Sequence, residues 1–178
     1  MNGTLTSVED ADLMSSLPSL DDLDFLDSSS DLAQVEQAKA KYTGVMSSCV
    51  ERLKDMAKRN KQSQMMPVYL DRVSQMVSKA WAVPAPHGQS LASSLCDILR
   101  HNGGLDVLIN NCVSDDSNLQ LSSARLLEQC LTQENRQYVV ECGLDKVRID
   151  ILGKSVLVHF ELATTTLMDV VVDNLKGP

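Results

Sequence analysis

Apolar residues recur every three or four positions through the first third of the chain, which is the spacing of one face of an α-helix. The pattern starts after Asp31, a residue type suited to the N-cap, and predicts one long amphipathic helix that ends near Asn60. The same spacing also fits a heptad seam interrupted at Lys39, so a coiled coil is an open alternative. The apolar positions are Leu32, Val35, Tyr42, Met46, Cys49, Leu53 and Met56.

Further helices are predicted after residue 66. Pro67 suits a first helical position, and the apolar spacing continues from it toward Trp81. The connector Pro84–Gly88 then breaks the chain, and the next helix ends at His101–Gly103, where Asn and Gly tolerate a left-handed backbone. Three more helices follow at Leu105–Val113, Leu119–Leu131 and Gln133–Glu141, and the loop Ser114–Ser117 supplies the cap of the middle one.

A short phrase is repeated along the chain and indicates the fold class. Gly104–Leu108 returns 39 residues later as Gly143–Val147. This interval is close to the period of armadillo and HEAT arrays, about 40 residues, in which each unit buries its apolar face on a neighbour. We therefore predict an all-α, armadillo- or HEAT-like solenoid over residues 31–147. The stripe between the two copies consists of Ala124, Leu127 and Leu131.

The two ends of the chain differ from this middle. Residues 1–31 carry eight acids and no base, with scattered apolar residues. We expect residues 1–30 to be a disordered, solubilising leader, and a docking motif that folds on a partner is the alternative. Residues 148–178 are rich in β-branched side chains, so a buried helix and a pair of strands both stay open for this tail.

Composition and charge exclude several classes of protein. One Trp, two Phe and three Tyr leave an aliphatic core. The net charge of -8 comes from the leader, since the remaining residues carry 16 acids and 16 bases, and this is not the basic footprint of a nucleic-acid-binding protein. Five widely spaced cysteines without a CxxC pair predict free thiols in a reducing compartment. We expect a cytoplasmic chain without a membrane span.

Sequence motifs for catalysis or metal binding are absent. We find no phosphate-binding glycine loop, no GxSxG elbow, no HExxH pair and no Cys/His metal spacing. Glu128 and Glu134 are near enough in sequence to form a carboxylate pair, but an exposed helix face and a capping acid explain them more simply. The sequence therefore predicts neither a catalytic residue nor a metal site.

Several short motifs resemble a known family. The segments AWAVP (80–84), LCDILR (95–100), GGLD (103–106), ARLLEQ (124–129) and ENR (134–136) are similar to the first armadillo repeats of the SARM family, the sterile-alpha-and-TIR-motif proteins, in an invertebrate-like form. The resemblance covers about residues 31–147. The run ARLLEQ followed by ENR is its most specific part.

The resemblance implies a regulatory function. Family members combine an armadillo array, two oligomerising sterile-alpha-motif (SAM) domains and a TIR domain that hydrolyses NAD to nicotinamide and ADP-ribose or its cyclic form. They act in axon degeneration and in innate immune signalling as Toll-like receptor adaptors, and the array inhibits the enzyme. We therefore expect an autoinhibitory fragment whose partners are the SAM and TIR domains of full-length members. Neither domain has a counterpart in this sequence, so we expect a truncated product that does not hydrolyse NAD alone.

The resemblance also implies a ligand site. No cofactor is required, but NAD or nicotinamide mononucleotide binds the family's array as an allosteric ligand. The matching positions are Trp81, which stacks on the ligand, and Glu128, Gln129 and Arg136, which hold its charged groups. A Trp face suits a cationic ring and Arg suits phosphate. Without the resemblance, Trp81 would be assigned to the core.

Two departures from the family affect this site. The segment Pro86–Gln89 stands where a second pocket Arg is expected, so that phosphate contact is either missing or supplied by His87. Residues 148–178 do not match the family's next helices, which contribute a His and a Lys. Two alternatives follow: association with full-length subunits in an NAD glycohydrolase complex, and a generic protein-interaction scaffold without a nucleotide role.

Overall fold

A computed structural model describes Ser15, residues 17–59 and residues 65–142, and within these ranges every regular element is a helix. The all-α prediction is confirmed. The repeated phrase at Gly143–Val147 and the tail 148–178 lie outside the described residues. The helices are α1 (Asp21–Asp24), α2 (Leu32–Lys58), α3 (Met65–Ala82), α4 (His87–His101), α5 (Gly104–Asn111), α6 (Ser117–Gln129) and α7 (Gln133–Cys142).

The long helix α2 begins where its sequence predicts. The Asp31 carboxylate accepts hydrogen bonds from the backbone N–H groups of Ala33 and Gln34, and the Gln34 side chain accepts one from the Asp31 N–H. This reciprocal capping box satisfies N–H groups that have no partner inside the helix. The apolar face of α2 packs on α4 and α5 of the same chain, so this face is not available for a coiled coil.

Each long helix contacts the helix three positions later. Helix α2 packs on α5, α3 packs on α6, and α4 packs on α7, while neighbours such as α3 and α4 also touch. Helix α2 also packs on α4. Because contacts between helices three positions apart recur along the chain, the packing is solenoid-like. Among the described residues, the pairing of α3 with α6 is the most extensive.

The core is aliphatic, as the composition predicts. Leucine, valine and methionine side chains fill it, together with the rings of Tyr42 and Tyr69. The four cysteines whose side chains the structure describes are all free and buried, in agreement with the sequence prediction. No helix in the described ranges combines the length and apolar character needed to cross a bilayer. The buried cysteines are Cys49, Cys96, Cys112 and Cys130.

The leader that the sequence predicts to be disordered includes residues 17–26, which pack on the rest of the described chain. Leu20 and Leu23 are 6% and 2% exposed and belong to the main core, and Leu17 and Leu26 pack against it. These four leucines recur at every third position, which gives the segment an apolar side that its high charge conceals in the sequence. We call residues 17–26 the acidic strap. Residues 1–14 and residue 16 lie outside the described range.

The acidic side of the strap is paired with lysines of two different helices. Asp22 forms an ion pair with Lys41 on α2, and Asp24 contacts Lys79 on α3 with an Oδ2–Nζ distance of 2.7 Å. The hydroxyl of Tyr42 donates a hydrogen bond to the backbone oxygen of Ser19 at 3.4 Å. The strap therefore bridges α2 and α3. The hydrogen bond to Asp22 raises the pKa of Lys41 above its ordinary value.

The corner between α3 and α4 is tighter than the sequence predicts. Helix α4 begins at His87, within the segment expected to be connector. A Cβ atom added at Gly88 would lie 1.9 Å from the backbone oxygen of Val83 and 3.0 Å from that of Ala80. Only glycine allows the two helix ends to approach this closely. The next corner uses Gly103 with φ of 80°, which agrees with the left-handed turn predicted there.

Candidate functional site

Trp81 lies in the last turn of α3, beside the C-terminal end of α6. Its indole Nε1–H donates a hydrogen bond to the backbone oxygen of Gln129 at 3.0 Å. This oxygen is one of the terminal carbonyls of α6, which have no partner inside their own helix. The Trp81 side chain is nevertheless 40% exposed, so it is not the core residue that its apolar character alone would suggest. One ring edge is fixed by Gln129, and part of the ring is open to solvent.

Gln129 is held by a second contact from α3. Its side-chain Oε1 accepts a hydrogen bond from the hydroxyl of Ser74 at 3.0 Å, and Ser74 is 7% exposed. The backbone oxygen and the side-chain oxygen of Gln129 thus both accept hydrogen bonds from α3. The amide nitrogen of this side chain still carries two N–H groups that can donate hydrogen bonds to a ligand.

Arg136 lies in the first turn of α7, directly after the turn that leaves α6. Its Nε–H donates to the backbone oxygen of Leu131 at 3.0 Å, and its backbone N–H donates to the oxygen of Thr132 at 2.9 Å. The guanidinium therefore lies beside the α6–α7 turn, where a cation interacts favourably with the negative end of α6. Its other N–H groups have no partner among the described residues, and their geometry suits a phosphate or carboxylate.

Glu128 is exposed on the surface of α6, one residue before Gln129. Within the described part of the chain, its carboxylate takes part in no hydrogen bond or ion pair. The structure therefore joins Trp81 and Gln129 directly and places Arg136 at the same helix end through Leu131. It does not join Glu128 to any of these side chains.

Asn135 belongs to the ENR motif, but the sequence assigns it no role in this region. It is fully buried, and its Nδ2 group donates to the backbone oxygens of Cys96 at 3.0 Å and Cys130 at 2.8 Å. Its Oδ1 accepts from Nε of Arg100 at 2.9 Å. One carboxamide thus connects α4, the end of α6 and the start of α7. The sequence signal that pointed to this residue was its place in the ENR motif (134–136), which gave no role for its side chain.

The thiols of Cys96 and Cys130 form a hydrogen bond next to this amide. That hydrogen bond and complete burial raise the pKa of Cys130 well above its ordinary value. A thiol with a raised pKa stays protonated near neutral pH and is a poor nucleophile and a poor metal ligand. Among the described residues, no group of three His, Cys, Asp or Glu side chains has the arrangement of a metal site.

Comparison with known proteins relates the chain to a family. No family model matches the chain. It is 42% identical over 153 residues to the NAD(+) hydrolase sarm1 of Drosophila melanogaster, and the match covers 83% of the chain and 10% of that protein. The chain belongs to the SARM family. It is also 39% identical over 70 residues to the NAD(+) hydrolase SARM1 of Danio rerio, which covers 39% of the chain and 10% of that protein.

This SARM-family chain spans about a tenth of the length of the curated relatives it matches. The resemblance noted in the motifs is therefore confirmed at the level of the family. The resemblance also implies which residues bind the ligand, and their role in binding stays a prediction. These residues are Trp81, Glu128, Gln129 and Arg136. His87, which is one of the two alternatives for the family's second phosphate contact, begins α4 and is partly buried.

Proposed function

We propose that this chain is a regulatory, autoinhibitory armadillo-type module of a SARM-type NAD hydrolase, and that the junction of α3, α6 and α7 binds a nicotinamide nucleotide. The observation that carries the ligand proposal is the hydrogen bond from Trp81 Nε1 to the Gln129 oxygen at 3.0 Å. Trp81 and Gln129 are separated by 48 residues in the sequence, and this contact fixes a half-exposed aromatic ring at the end of a second helix.

Trp81 has the properties of a stacking surface. Its N–H is already engaged, so a ligand meets the face of the ring and not its polar edge. The face of an indole attracts cations, and the nicotinamide ring of NAD or of nicotinamide mononucleotide carries a positive charge. Glu128, exposed on the neighbouring helix end, adds a negative charge that favours the same ligand.

Arg136 and Gln129 suit the rest of such a nucleotide. The guanidinium of Arg136 is oriented by Leu131 and carries further donors for a phosphate. The Gln129 amide, whose oxygen is engaged by Ser74, offers donors to a ribose hydroxyl or a carboxamide oxygen. The ligand acts as an allosteric effector, and no cofactor is required for the fold.

The wider role rests on the family. The three-position stacking of α2 on α5, α3 on α6 and α4 on α7 supports an armadillo-type array, whose period includes three helices. In this proposal the module is cytoplasmic and packs on the SAM and TIR domains of full-length members. It restrains NAD hydrolysis in axon degeneration and in innate immune signalling.

Calorimetry with nicotinamide mononucleotide tests the ligand site. We expect saturable heat together with a change in the emission of Trp81, the single tryptophan of the chain. Trp81→Ala removes the stacking surface and weakens binding by about tenfold or more, since a cation–π contact contributes on the order of 1–2 kcal/mol. Trp81→Phe keeps a ring face without the Gln129 hydrogen bond and gives an intermediate loss.

Val68→Ala is the matched control, because Val68 is a 46% exposed apolar residue of the same helix. It should leave binding unchanged. Absence of heat together with unchanged Trp81 emission would remove the nucleotide role and favour a protein-interaction scaffold. Equal losses in the Trp81→Ala and Val68→Ala variants would show that α3, and not this ring, determines the result.

A further inference from the structure

The surface that the acidic strap covers has a distinct chemical character. On α2 it presents Lys41 and the hydroxyl of Tyr42, and on α3 it presents Lys79. Between these polar groups the strap buries Leu20 and Leu23 in the main core. We call this surface, marked by Lys41, Tyr42 and Lys79, the strap groove. It accepts a segment with leucines on one side and carboxylates on the other.

The strap is held by few and mostly exposed interactions. The side chains of the Asp22–Lys41 pair are 55% and 43% exposed, and those of the Asp24–Lys79 pair are 57% and 37% exposed. Exposed pairs of this kind contribute little, because solvent screens the two charges. Helix α1 has only four residues and no side-chain cap. Most of the free energy that holds the strap therefore comes from its leucines, and a short segment of this kind opens more easily than the long helices do.

We propose that the strap groove is a docking site for acidic, leucine-repeat segments of other proteins, and that residues 17–26 occupy it as an intramolecular competitor. Charge complementarity supports this occupant, since the groove pairs lysines from two helices with carboxylates two positions apart. The spacing of the leucines, at every third residue, defines the apolar side that such a segment presents.

A second copy of this chain is a less suitable occupant than another protein. The strap of each copy is tethered to its own groove, and a short tether gives an effective concentration in the millimolar range. An identical strap from a second copy gains no contact that the tethered strap lacks. A segment of another protein displaces the strap from the groove when it makes contacts beyond those that residues 17–26 make.

Charge reversal in the full chain tests the proposal. The probe is a fluorescein-labelled peptide with the sequence of residues 15–28, and its binding is followed by fluorescence anisotropy. The double variant Asp22→Lys/Asp24→Lys repels its own strap from Lys41 and Lys79, and we expect it to bind the peptide about tenfold more tightly than the unchanged chain does. These positions are exposed, and far-UV circular dichroism verifies that the variant keeps its helices.

Two further variants make the result specific. Adding Lys41→Glu/Lys79→Glu to the double variant restores complementary pairs within the chain, so peptide binding should fall to the level of the unchanged chain. Asp21→Lys/Glu36→Lys has the same change in net charge, but neither acid forms an ion pair within the described residues. This matched control should not gain affinity.

Three outcomes would overturn the proposal. The first is a helical double variant that binds the peptide no better than the control does. The second is binding that persists when the lysines are reversed, because the groove charges would then not select the segment. The third is a dimer of the unchanged chain, measured by gel filtration with light scattering, which is abolished by reversal of Lys41 and Lys79. That result would assign the groove to a second copy.

Discussion

Single residues join helices of this chain that are distant in the sequence. They include Trp81, Gln129 and Asn135, and Gly88 allows the close α3–α4 corner. The family motifs indicated Trp81 and Gln129 as ligand residues, but the hydrogen bond that joins them depends on the packing of α3 on α6. Packing between helices that are distant in sequence leaves no local signal. The same reason applies to Asn135, whose three partners lie on α4 and at the end of α6.

A substitution at Gly88 measures how much the close approach at the α3–α4 corner contributes to stability. In the Gly88→Ala variant the new methyl group meets the backbone oxygen of Val83, which cannot move as a side chain can. We expect a loss of about 1–3 kcal/mol in the free energy of unfolding, as for other overpacked sites. Urea denaturation followed by circular dichroism measures this difference.

Gly44→Ala is the control for that experiment. Gly44 lies within α2, and a Cβ atom added there meets nothing within 4 Å. Alanine is favoured over glycine inside a helix, so this variant should gain about 0.5–1 kcal/mol. A Gly88→Ala variant as stable as Gly44→Ala would mean that the corner adjusts and that its close approach is not required.

At the scale of elements, the sequence predicted the long helices and missed the short one. The cap at Asp31 and the capping loop Ser114–Ser117 were recognised because N-cap residues have local signatures. In the structure the carboxylates of Asp31 and Asp116 accept backbone hydrogen bonds. Helix α1 was missed because its four residues include three acids, a composition typical of disorder. This helix is stabilised by tertiary contacts with α2 and α3, and amino-acid composition carries no information about such contacts.

The burial of the strap predicts an unequal response to two neighbouring truncations. Leu23 is 2% exposed and Phe25 is 82% exposed. Leu23→Ala should lower the free energy of unfolding by about 2–4 kcal/mol, as for other buried leucines. Phe25→Ala should change it by less than about 0.5 kcal/mol.

Thermal unfolding followed by circular dichroism compares these two variants under identical conditions. Similar midpoints for Leu23→Ala and Phe25→Ala would show that the strap is not part of the cooperative structure. The measurement uses the full chain, so the leucine is tested in the presence of both lysines that hold the strap. A large effect of Phe25→Ala alone would contradict the packing described above.

At the scale of the whole molecule, buried ionisable groups are distributed through the core. Burial raises the pKa of the Cys112 thiol to about 12 from an ordinary value of 9.0. Burial also raises the pKa values of Cys49 and Tyr69. None of these groups ionises in the folded chain near neutral pH. The solenoid was predicted from one repeated phrase. In it, these groups lie on or next to three different helices.

Stability should therefore fall at alkaline pH. Below pH 9, Cys112 is protonated in both the folded and the unfolded chain, so it causes no pH dependence. Above pH 9 the unfolded chain loses this proton first, and the free energy of unfolding decreases between pH 9 and about 12. The contribution of Cys112 reaches at most about 4 kcal/mol, from roughly 1.4 kcal/mol per pKa unit.

Cys112→Ala isolates this contribution. Urea denaturation at a series of pH values from 7 to 11 gives the slope of stability against pH for both chains, and we expect a shallower decrease for the variant above pH 9. The slopes are compared rather than the absolute stabilities, because the variant also leaves a small cavity. Parallel curves for the two chains would contradict the assignment.

The carboxamide of Asn135 also bears on the kinetics of the chain. It binds the backbone oxygens of Cys96 and Cys130, whose side chains have no exposed surface. A thiol reagent can reach either sulfur only while this junction is open. At saturating reagent, the rate at which these two thiols are labelled therefore equals the rate at which the junction opens. The native Cys96 and Cys130 thus report how fast α4, α6 and α7 separate, without an introduced cysteine.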